Sequence, residues 1–325
     1  MGEFKFFCPR CGQNIQCDNG HAGTQINCPA CQQPIVAPKD LGYGMPAAQP
    51  PAPSQARAGQ YVLVIAAAVI VLTALVTAGW FGYSKYKLEH LPPGLVAHWS
   101  GDGNGNDSAG KNNATVPRGV TYAPAGRGFK LNGQNQQSDA ARLVVPDAPD
   151  MNFGANQDFS ITAWIQPLSN PGNYTDLSGE VMTVISKRFS TNAYTALGYE
   201  MYLGGGRLCF QLSDSLNHSV NYYDLDAESD LRDGKFHHVA VTVKRNSTTG
   251  LRFYVDGQLI ATFDPTAVSG DLSNTGPLRI GNHPDPGIRA FYHGIIDEVG
   301  LYNRALSADE IQSIYKADGA EKYLK

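Results

Sequence analysis

Residues 159–165 read FSITAWI, and their alternation decides how the larger part of this chain folds. Successive side chains of an extended strand point to opposite sides. Phe159, Ile161, Ala163 and Ile165 therefore share one face, and Ser160, Thr162 and Trp164 share the other. The pattern repeats in HHVAVTVKR, where Val239, Val241 and Val243 alternate with Ala240 and Thr242. Between these segments and beyond them lie further short strand candidates: LVAHWS, RLVV, VMTVISKR, YEMYLGG, RLCFQL, SVNYY, LRFYVDG, QLIATFD and GIIDEVGLYN. LRFYVDGQLIATF reads as a hairpin, because Asp256-Gly257 between apolar strands suits a two-residue turn with positive φ. One helix is expected, near the end. Ser307 and Glu310 make a capping box, Ile311, Ile314 and Tyr315 an apolar stripe, and Gly319 a stop. Many antiparallel strands with one late helix predict a mainly β fold, a two-sheet antiparallel sandwich of the jelly-roll type, over residues 95–325.

Composition agrees. The 325 residues include 35 Gly and 20 Pro, which suits a turn-rich β protein. About 230 residues are enough for one sandwich with a substantial core. The formal net charge of -4 gives no electrostatic case for nucleic acid.

Upstream, residues 61–83 read YVLVIAAAVIVLTALVTAGWFGY without a charge. A helix of that length reaches about 34 Å at ~1.5 Å per residue, enough for a ~30 Å hydrocarbon core. No polar side breaks it, whereas a soluble helix normally shows one, and it lies too far from Met1 for an ordinary signal peptide. A single transmembrane helix in a lipid bilayer is the expectation. Before it, residues 41–60 form a Pro/Ala-rich linker; after it, residues 84–94 form a stalk in which Pro92-Pro93-Gly94 stops the helix.

Residues 1–40 carry two Cys-x-x-Cys pairs, Cys8 with Cys11 and Cys28 with Cys31, separated by sixteen residues. Each knuckle points two thiolates at one ion, and two knuckles complete a tetrahedral zinc site. Disulfides are the alternative if this end is extracellular, and a redox pair is the alternative for a single knuckle. Cys17 and His21 are spare donors; four thiolates already fill a zinc shell, so Cys17 is expected to pack as a small hydrophobe. Thiolates stay reduced in a cytosol, which argues for a cytoplasmic N-terminus and a periplasmic or extracellular C-terminal domain. The flanking charges, Arg57 before the span and Lys85 and Lys87 after it, lean mildly the other way. Few basic residues surround the knuckles, so a cytoplasmic protein partner or a purely structural role is expected rather than nucleic acid.

Several blocks carry a family likeness: GLVAHWSGDGNGNDSAG, FKLNG, LVVPDAPDMNF, FSITAWIQP, GKFHHVAVTV, FYVDGQL and, most specifically, GIIDEVGLYNRALSADEI. Over residues 95–317 the chain resembles the laminin-G-like, concanavalin A-like jelly-roll domains. The resemblance implies two antiparallel sheets face to face and a binding module for glycans or proteins. The N-terminal segment is similar to small zinc ribbons of bacterial membrane proteins. The resemblance also implies a structural calcium between the first strand region and the last. The oxygen-rich loop GDGNGNDSAG offers Asp102, Asn104 and Asp107, and Asp297 stands at the matching last-strand position. Local Asx turns are the competing explanation for that loop.

No catalytic pair emerges. A retaining glycosidase needs two carboxylates ~5 Å apart. Glu228 and Asp230 lie in a loop-like stretch, and Asp297 and Glu298 are adjacent on a strand and diverge. His237 and His238 are adjacent too, so a packed, hydrogen-bonded histidine is expected rather than a metal pair. Cys209 reads as a buried free thiol, and Trp99 and Trp164 as sandwich packing. Tyr222, Tyr223 and Tyr292 are candidates for stacking on sugar rings. The sequence therefore predicts a membrane-anchored, non-catalytic binding protein of the cell envelope. A structural or assembly subunit is the alternative, and an atypical glycoside hydrolase a more distant one.

Overall fold

The computed structural model describes residues 2–39, 69–71, 73, 90–124, 126–133, 142–168, 180–192, 195–226, 229–285 and 290–323. The chain divides into two compact units, Met1–Val76 and Thr77–Lys325.

The first unit holds two hairpins. Strand β1 (Glu3–Phe7) pairs with β2 (Asn14–Asp18), and β3 (Gln25–Asn27) pairs with β4 (Pro34–Val36). Each hairpin turns through a Cys-Pro-x-Cys knuckle, and the two knuckles are built alike. Cys8 N–H donates to Gln13 O and Gly12 N–H to Cys8 O; Cys28 N–H donates to Gln33 O and Gln32 N–H to Cys28 O. Gly12 (φ 73°) and Gln32 (φ 61°) occupy the same left-handed position, so the second knuckle holds a non-glycine where glycine is favoured. The buried cluster is Cys8, Ile15, Cys28 and Ile35, with Phe6, Cys17, Ile26 and Cys31 packed against it. Cys17 thus packs as a small apolar side chain. So few buried groups leave the hairpins in need of a further tie.

Of the 61–83 stretch, Val69, Ile70, Val71 and Thr73 are described; they are helical and exposed, and Thr73 Oγ1 donates to Val69 O at 2.9 Å. The rest of the expected membrane span lies outside the described residues, as do the 41–60 linker and residues 84–89 of the stalk. Among the described residues no helix is long and apolar enough to cross a membrane.

The second unit is a two-sheet sandwich in which every named pairing is antiparallel. The first sheet runs β17 (Gln258–Phe263), β16 (Leu251–Val255), β15 (His237–Val243), β9 (Phe159–Pro167), β19 (His293–Tyr302), β7 (Phe129–Asn132), β6 (Thr121–Tyr122). Strand β5 (Leu95–Trp99) also pairs with β19, at the end opposite β7. The second sheet runs β14 (Ser219–Tyr223), β13 (Arg207–Ser213), β12 (Thr195–Gly204), β10 (Val181–Ser186), β18 (Leu278–Ile280), β8 (Leu143–Val145), with β11 (Phe189–Asn192) on β12. Asp256 (φ 49°) and Gly257 (φ 77°) make the β16–β17 turn, as the sequence predicts.

The core fills the space between the sheets. Phe159, Ile161, Ala163 and Ile165 meet Val239, Val241, Val243, Tyr199, Met201, Leu203, Phe210 and Ile280 there, all buried. Trp99 joins them. Trp164 does not: it points to the other face of the first sheet, where helix α1 (Ala308–Lys322) covers it. Its ring stacks on Tyr323 at 4.3 Å and lies 5.6 Å from Tyr315. This face is apolar because it has a lid; Ala240, Tyr254 and Tyr302 pack beneath Leu306, Ile311 and Ile314. The capping box is present, with Ser307 N–H donating to Glu310 Oε2 at 2.9 Å and Glu310 N–H to Ser307 Oγ at 3.2 Å. Gly319 does not end the helix, which continues to Lys322. A glycine in a helix costs only ~1 kcal/mol, which tertiary packing overrides.

Candidate functional site

Three regions carry the sequence-predicted residues. The first is the knuckle pair. Cys8, Cys11, Cys28 and Cys31 bring their sulfurs within 4.8 Å of one another. Cys8 Sγ lies 3.9 Å from Cys31 Sγ, and Cys11 Sγ lies 3.7 Å from Cys28 Sγ. A disulfide needs ~2.05 Å, so these are thiols held apart. Four sulfurs around zinc at ~2.3 Å sit about 3.8 Å from each other in a tetrahedron. The donor set and its spacing fit zinc. Main-chain amides help: Arg10 N–H donates to Cys8 Sγ at 3.4 Å, and the amides of Cys31 and Ala30 bring the Cys28 thiol down to about 6. His21 does not join; its Nδ1 pairs with Asp18 at 2.9 Å.

The second region is the loop proposed for calcium. Asp107 Oδ1 accepts from the amides of His98 and Ala109 at 2.9 and 3.0 Å, and Oδ2 accepts from Asn112 N–H at 2.9 Å. Asn104 Oδ1 accepts from Asn106 N–H at 2.8 Å, an Asx turn. Asp297 accepts from Glu298 N–H and from the Tyr323 hydroxyl. Asp297 also lies close to the loop's first residue, since a Cβ on Gly101 would stand 3.0 Å from its Oδ1. Among the described residues the cysteines are the one cluster of three or more metal-ligating His, Cys, Asp or Glu groups, and Asp102, Asp107 and Asp297 form none. Asp107 serves main-chain amides of the loop, and Asp297 bonds Tyr323 just past the end of α1.

Asp297 and Glu298 diverge, as their adjacency requires. Glu298, at φ 49° in a bulge of β19, is buried with its Oε2 3.0 Å from His98 Nε2. His237 hydrogen-bonds Asp256 and Asp233 at 2.9 and 3.1 Å. His238 is packed 5.5 Å from Trp164, yet neither of its ring nitrogens has a hydrogen-bond partner, contrary to expectation; burial holds its pKa down at about 4. Asp230 is tied to Arg232 at 2.7 Å, and Glu228 lies outside the described residues.

The third region is one the sequence did not reveal: the outer face of the second sheet. Alternation in β12 sends Tyr199, Met201 and Leu203 into the core and leaves Glu200 and Tyr202 facing outward. The register then lays Gln211, Glu200, Ser186 and Arg279 in one row across four strands, with Cys209, Tyr202 and Thr183 in the next. Glu200 is buried; Thr183 Oγ1 donates to its Oε1 at 2.6 Å, and Arg188 Nη1 and His283 Nε2 lie 3.6 and 3.3 Å from its Oε2. Burial raises Glu200 to about 7 against the opposing pull of Thr183 and Arg188, and burial with Arg188 and Arg279 nearby lowers His283 to about 3. Of the three tyrosines singled out, Tyr222 and Tyr292 are buried, while Tyr223, in register with Cys209, is exposed. Cys209 is a buried free thiol on this face, and burial raises it to about 11.

Strand order, register and the helix-covered first sheet define a concanavalin A-like jelly roll. Residues 135–312 match the family described as the concanavalin A-like lectin/glucanases superfamily, and the chain belongs to it. It is similar to a botulinum-like toxin, eBoNT/J, of an Enterococcus strain, 24% identical over 221 residues that cover 66% of this chain and 16% of the toxin. It is also similar to the solved binding domain of Paraclostridial mosquitocidal protein 1, with 19% identity, a TM-score of 0.55, and coverage of 68% of this chain and 52% of that one. The ligand-binding domain of botulinum neurotoxin serotype D, solved with N-acetylneuraminic acid, aligns at 18% identity and a TM-score of 0.50, covering 69% of this chain and 51% of that one. At these identities the structures share the fold. The chain spans about half of those domains and a small fraction of the whole toxin.

Proposed function

We propose that this chain is a membrane-anchored, non-catalytic binding protein whose jelly roll recognises a glycan through the outer face of its second sheet. The observation that carries this is the contrast between the two outer faces. One is apolar and sealed by α1; the other carries polar side chains in register (Gln211, Glu200, Ser186, Arg279), of which Glu200 and Ser186 are buried, with an exposed aromatic ring, Tyr223, toward its β14 edge. Sugars ask for that mixture, since hydroxyls need fixed donors and acceptors and the C–H faces of the ring need an aromatic platform. Similar domains solved as toxin binding domains, one of them with N-acetylneuraminic acid, support a ligand-binding reading. A lone buried carboxylate held by Thr183 and an arginine favours recognition over hydrolysis.

In the same reading, residues 61–83 anchor the chain in the bilayer, the four cysteines hold one structural zinc that supplies most of the folding energy of their small unit, and that unit faces the cytoplasm. Full-length chain in detergent, applied to a glycan array beside a Tyr223→Ala variant, tests the binding site. Saccharide binding that weakens in the variant is the expected result. Absence of binding to any saccharide, with a protein captured in stoichiometric amount instead, overturns it.

A further inference from the structure

Just past α1, the outer face of the first sheet holds an open cleft of about 560 Å³. Register sets its floor. Ile295 of β19 lies opposite Gln166 of β9, and both side chains line the cleft. The rings of Phe236 and Tyr323, 4.6 Å apart and both largely buried, present their edges to it. The hydroxyl of Tyr323 is fixed by its bond to Asp297. The β6–β7 turn contributes Arg127, and the loop leading into β15 contributes Lys235. From β15 across β9 and β19 to β7 is three strand spacings of 4.8 Å, so the segments bearing the two cations stand about 14 Å apart.

Both cations are within reach of a ligand. Arg127 is exposed and has no hydrogen-bond or ion-pair partner among the described residues. Lys235 is exposed too; its Nζ lies 3.3 Å from Asp233 Oδ2, a contact that water screens. Asp233 also accepts from the Lys235 amide and lies 3.1 Å from His237 Nε2, so its charge is shared. Lys130, in register with Ile295, is a third exposed cation on this face. Asp297 is buried, and among the described residues no Asp or Glu lines the cleft. In the floor, Gln166 Nε2 donates to Gly234 O at 2.6 Å and leaves Oε1 to accept. The stalk does not obstruct this end. It joins at the other end of α1, where Asn303 N–H donates to Gly94 O at 2.9 Å, and the 15 residues of α1 make about 22 Å of helix between.

We propose that this cleft binds an acidic oligosaccharide of two or three units, with one anionic group met by Arg127 and another by Lys235. It is a second site, on the other sheet from Tyr223, and does not depend on that face. One acid group cannot meet both cations across the cleft, whereas a short chain with charges on separate units can. The volume falls within the range of small-ligand sites. Gln166 Oε1 accepts from a sugar hydroxyl, and Ile295 with the two ring edges receives the C–H surface of a pyranose. An acidic peptide would ask for main-chain partners as well, and β9 and β19 have theirs committed to strands on both sides.

The test uses full-length chain in nonionic detergent and three probes: a trigalacturonate, its fully methyl-esterified form, and a neutral trisaccharide carrying two sulfates. Esterification removes charge and leaves the sugar chain in place. The expected result is that an acidic probe binds about 3- to 20-fold more tightly than the ester. Arg127→Ala and Lys235→Ala should each weaken acidic binding about 2- to 5-fold, and the double variant should remove the preference for acid. Tyr223→Ala should leave that preference unchanged. Both cations are exposed, melting temperatures check that the variants fold, and the acid-versus-ester comparison needs no variant. Tight binding of one acidic probe alone supports the cleft and tells carboxylate from sulfate. Equal binding of acid and ester overturns the proposal, and so does a preference that survives the double variant. If in addition all probes weaken in Tyr223→Ala, the second-sheet reading stands while the cleft falls. Absence of binding to any saccharide overturns both.

Discussion

Glu200→Gln isolates the electrostatics of the second sheet's outer face. Glu200 is 2% exposed, and its pKa is raised from 4.5 to about 7, with burial the largest cause. The sign follows from the protons bound. Between pH 4.5 and 7 the folded protein keeps the Glu200 proton while the unfolded chain has released it, so stability from this group is full below 4.5 and is lost as pH rises through 7. At 1.36 kcal/mol per pKa unit the whole loss is about 3 kcal/mol, and about 2.5 kcal/mol of it falls between pH 5 and pH 8. Glutamine keeps the shape and the bond from Thr183 and cannot ionise. At pH 5 the folded parent also holds this side chain neutral, so no ion pair with Arg188 is forfeited there. The variant should match the parent at pH 5 and be more stable at pH 8. His237, whose pKa is raised overall by its bonds to Asp256 and Asp233 despite burial, loses stability with rising pH in both proteins and cancels in the difference. Urea unfolding in detergent at pH 5, 6, 7 and 8 measures that difference. A difference that stays constant across the four values refutes the argument.

Other consequences are simpler. Metal analysis should find one zinc per full-length chain, and a strong chelator or Cys28→Ser should abolish it and melt the first unit while the jelly-roll transition stays in place. Trp164→Ala should destabilise the jelly roll by about 3–5 kcal/mol in denaturant titration, because its ring is fully buried between the first sheet and α1. Ser307→Ala should cost about 1 kcal/mol, read in the same titration, through loss of the helix cap. Millimolar calcium should leave the melting temperature unchanged, since Asp107 and Asn104 already serve main-chain amides.

Wherever period and turn chemistry agree, the sandwich is legible in the sequence. FSITAWI, HHVAVTV and the Asp256-Gly257 hairpin fold as their alternation dictates, and the capping box at Ser307 forms. Alternation gives two faces but not which neighbour covers each one. Trp164 therefore reads as core and lies instead under a helix about 150 residues downstream. Short strands such as β18, Leu278–Ile280, carry too few residues to show a period. Buried cations escape for another reason. Lys187 looks like a surface residue in ISKRF, yet its ammonium bonds Asn274 O, Gly276 O and Asp147 at 2.8, 2.8 and 2.9 Å. Arg245 likewise gathers the carbonyls of Val268 and Gly270. Only long-range register reveals such partners. The same holds for the outer face of the second sheet, whose arginines and Glu200 come from four separate segments.

That scattering bears on why the two outer faces differ. Helix α1 follows β19 after a short turn, and its apolar stripe can bury itself on the sheet that contains β19, so one face is closed by local connection. Among the described residues no helix packs on the second sheet, and its outward Thr183, Ser186 and Glu200 are polar and buried. Buried polar side chains are stable only if they satisfy each other. Thr183, Glu200 and His283 go part of the way, and two guanidinium Nε groups remain over. A sheet needing only to be soluble would place its arginines where water reaches every N–H. Holding these two Nε groups buried and unbonded carries a standing cost, which the packing around Glu200 and His283 must offset.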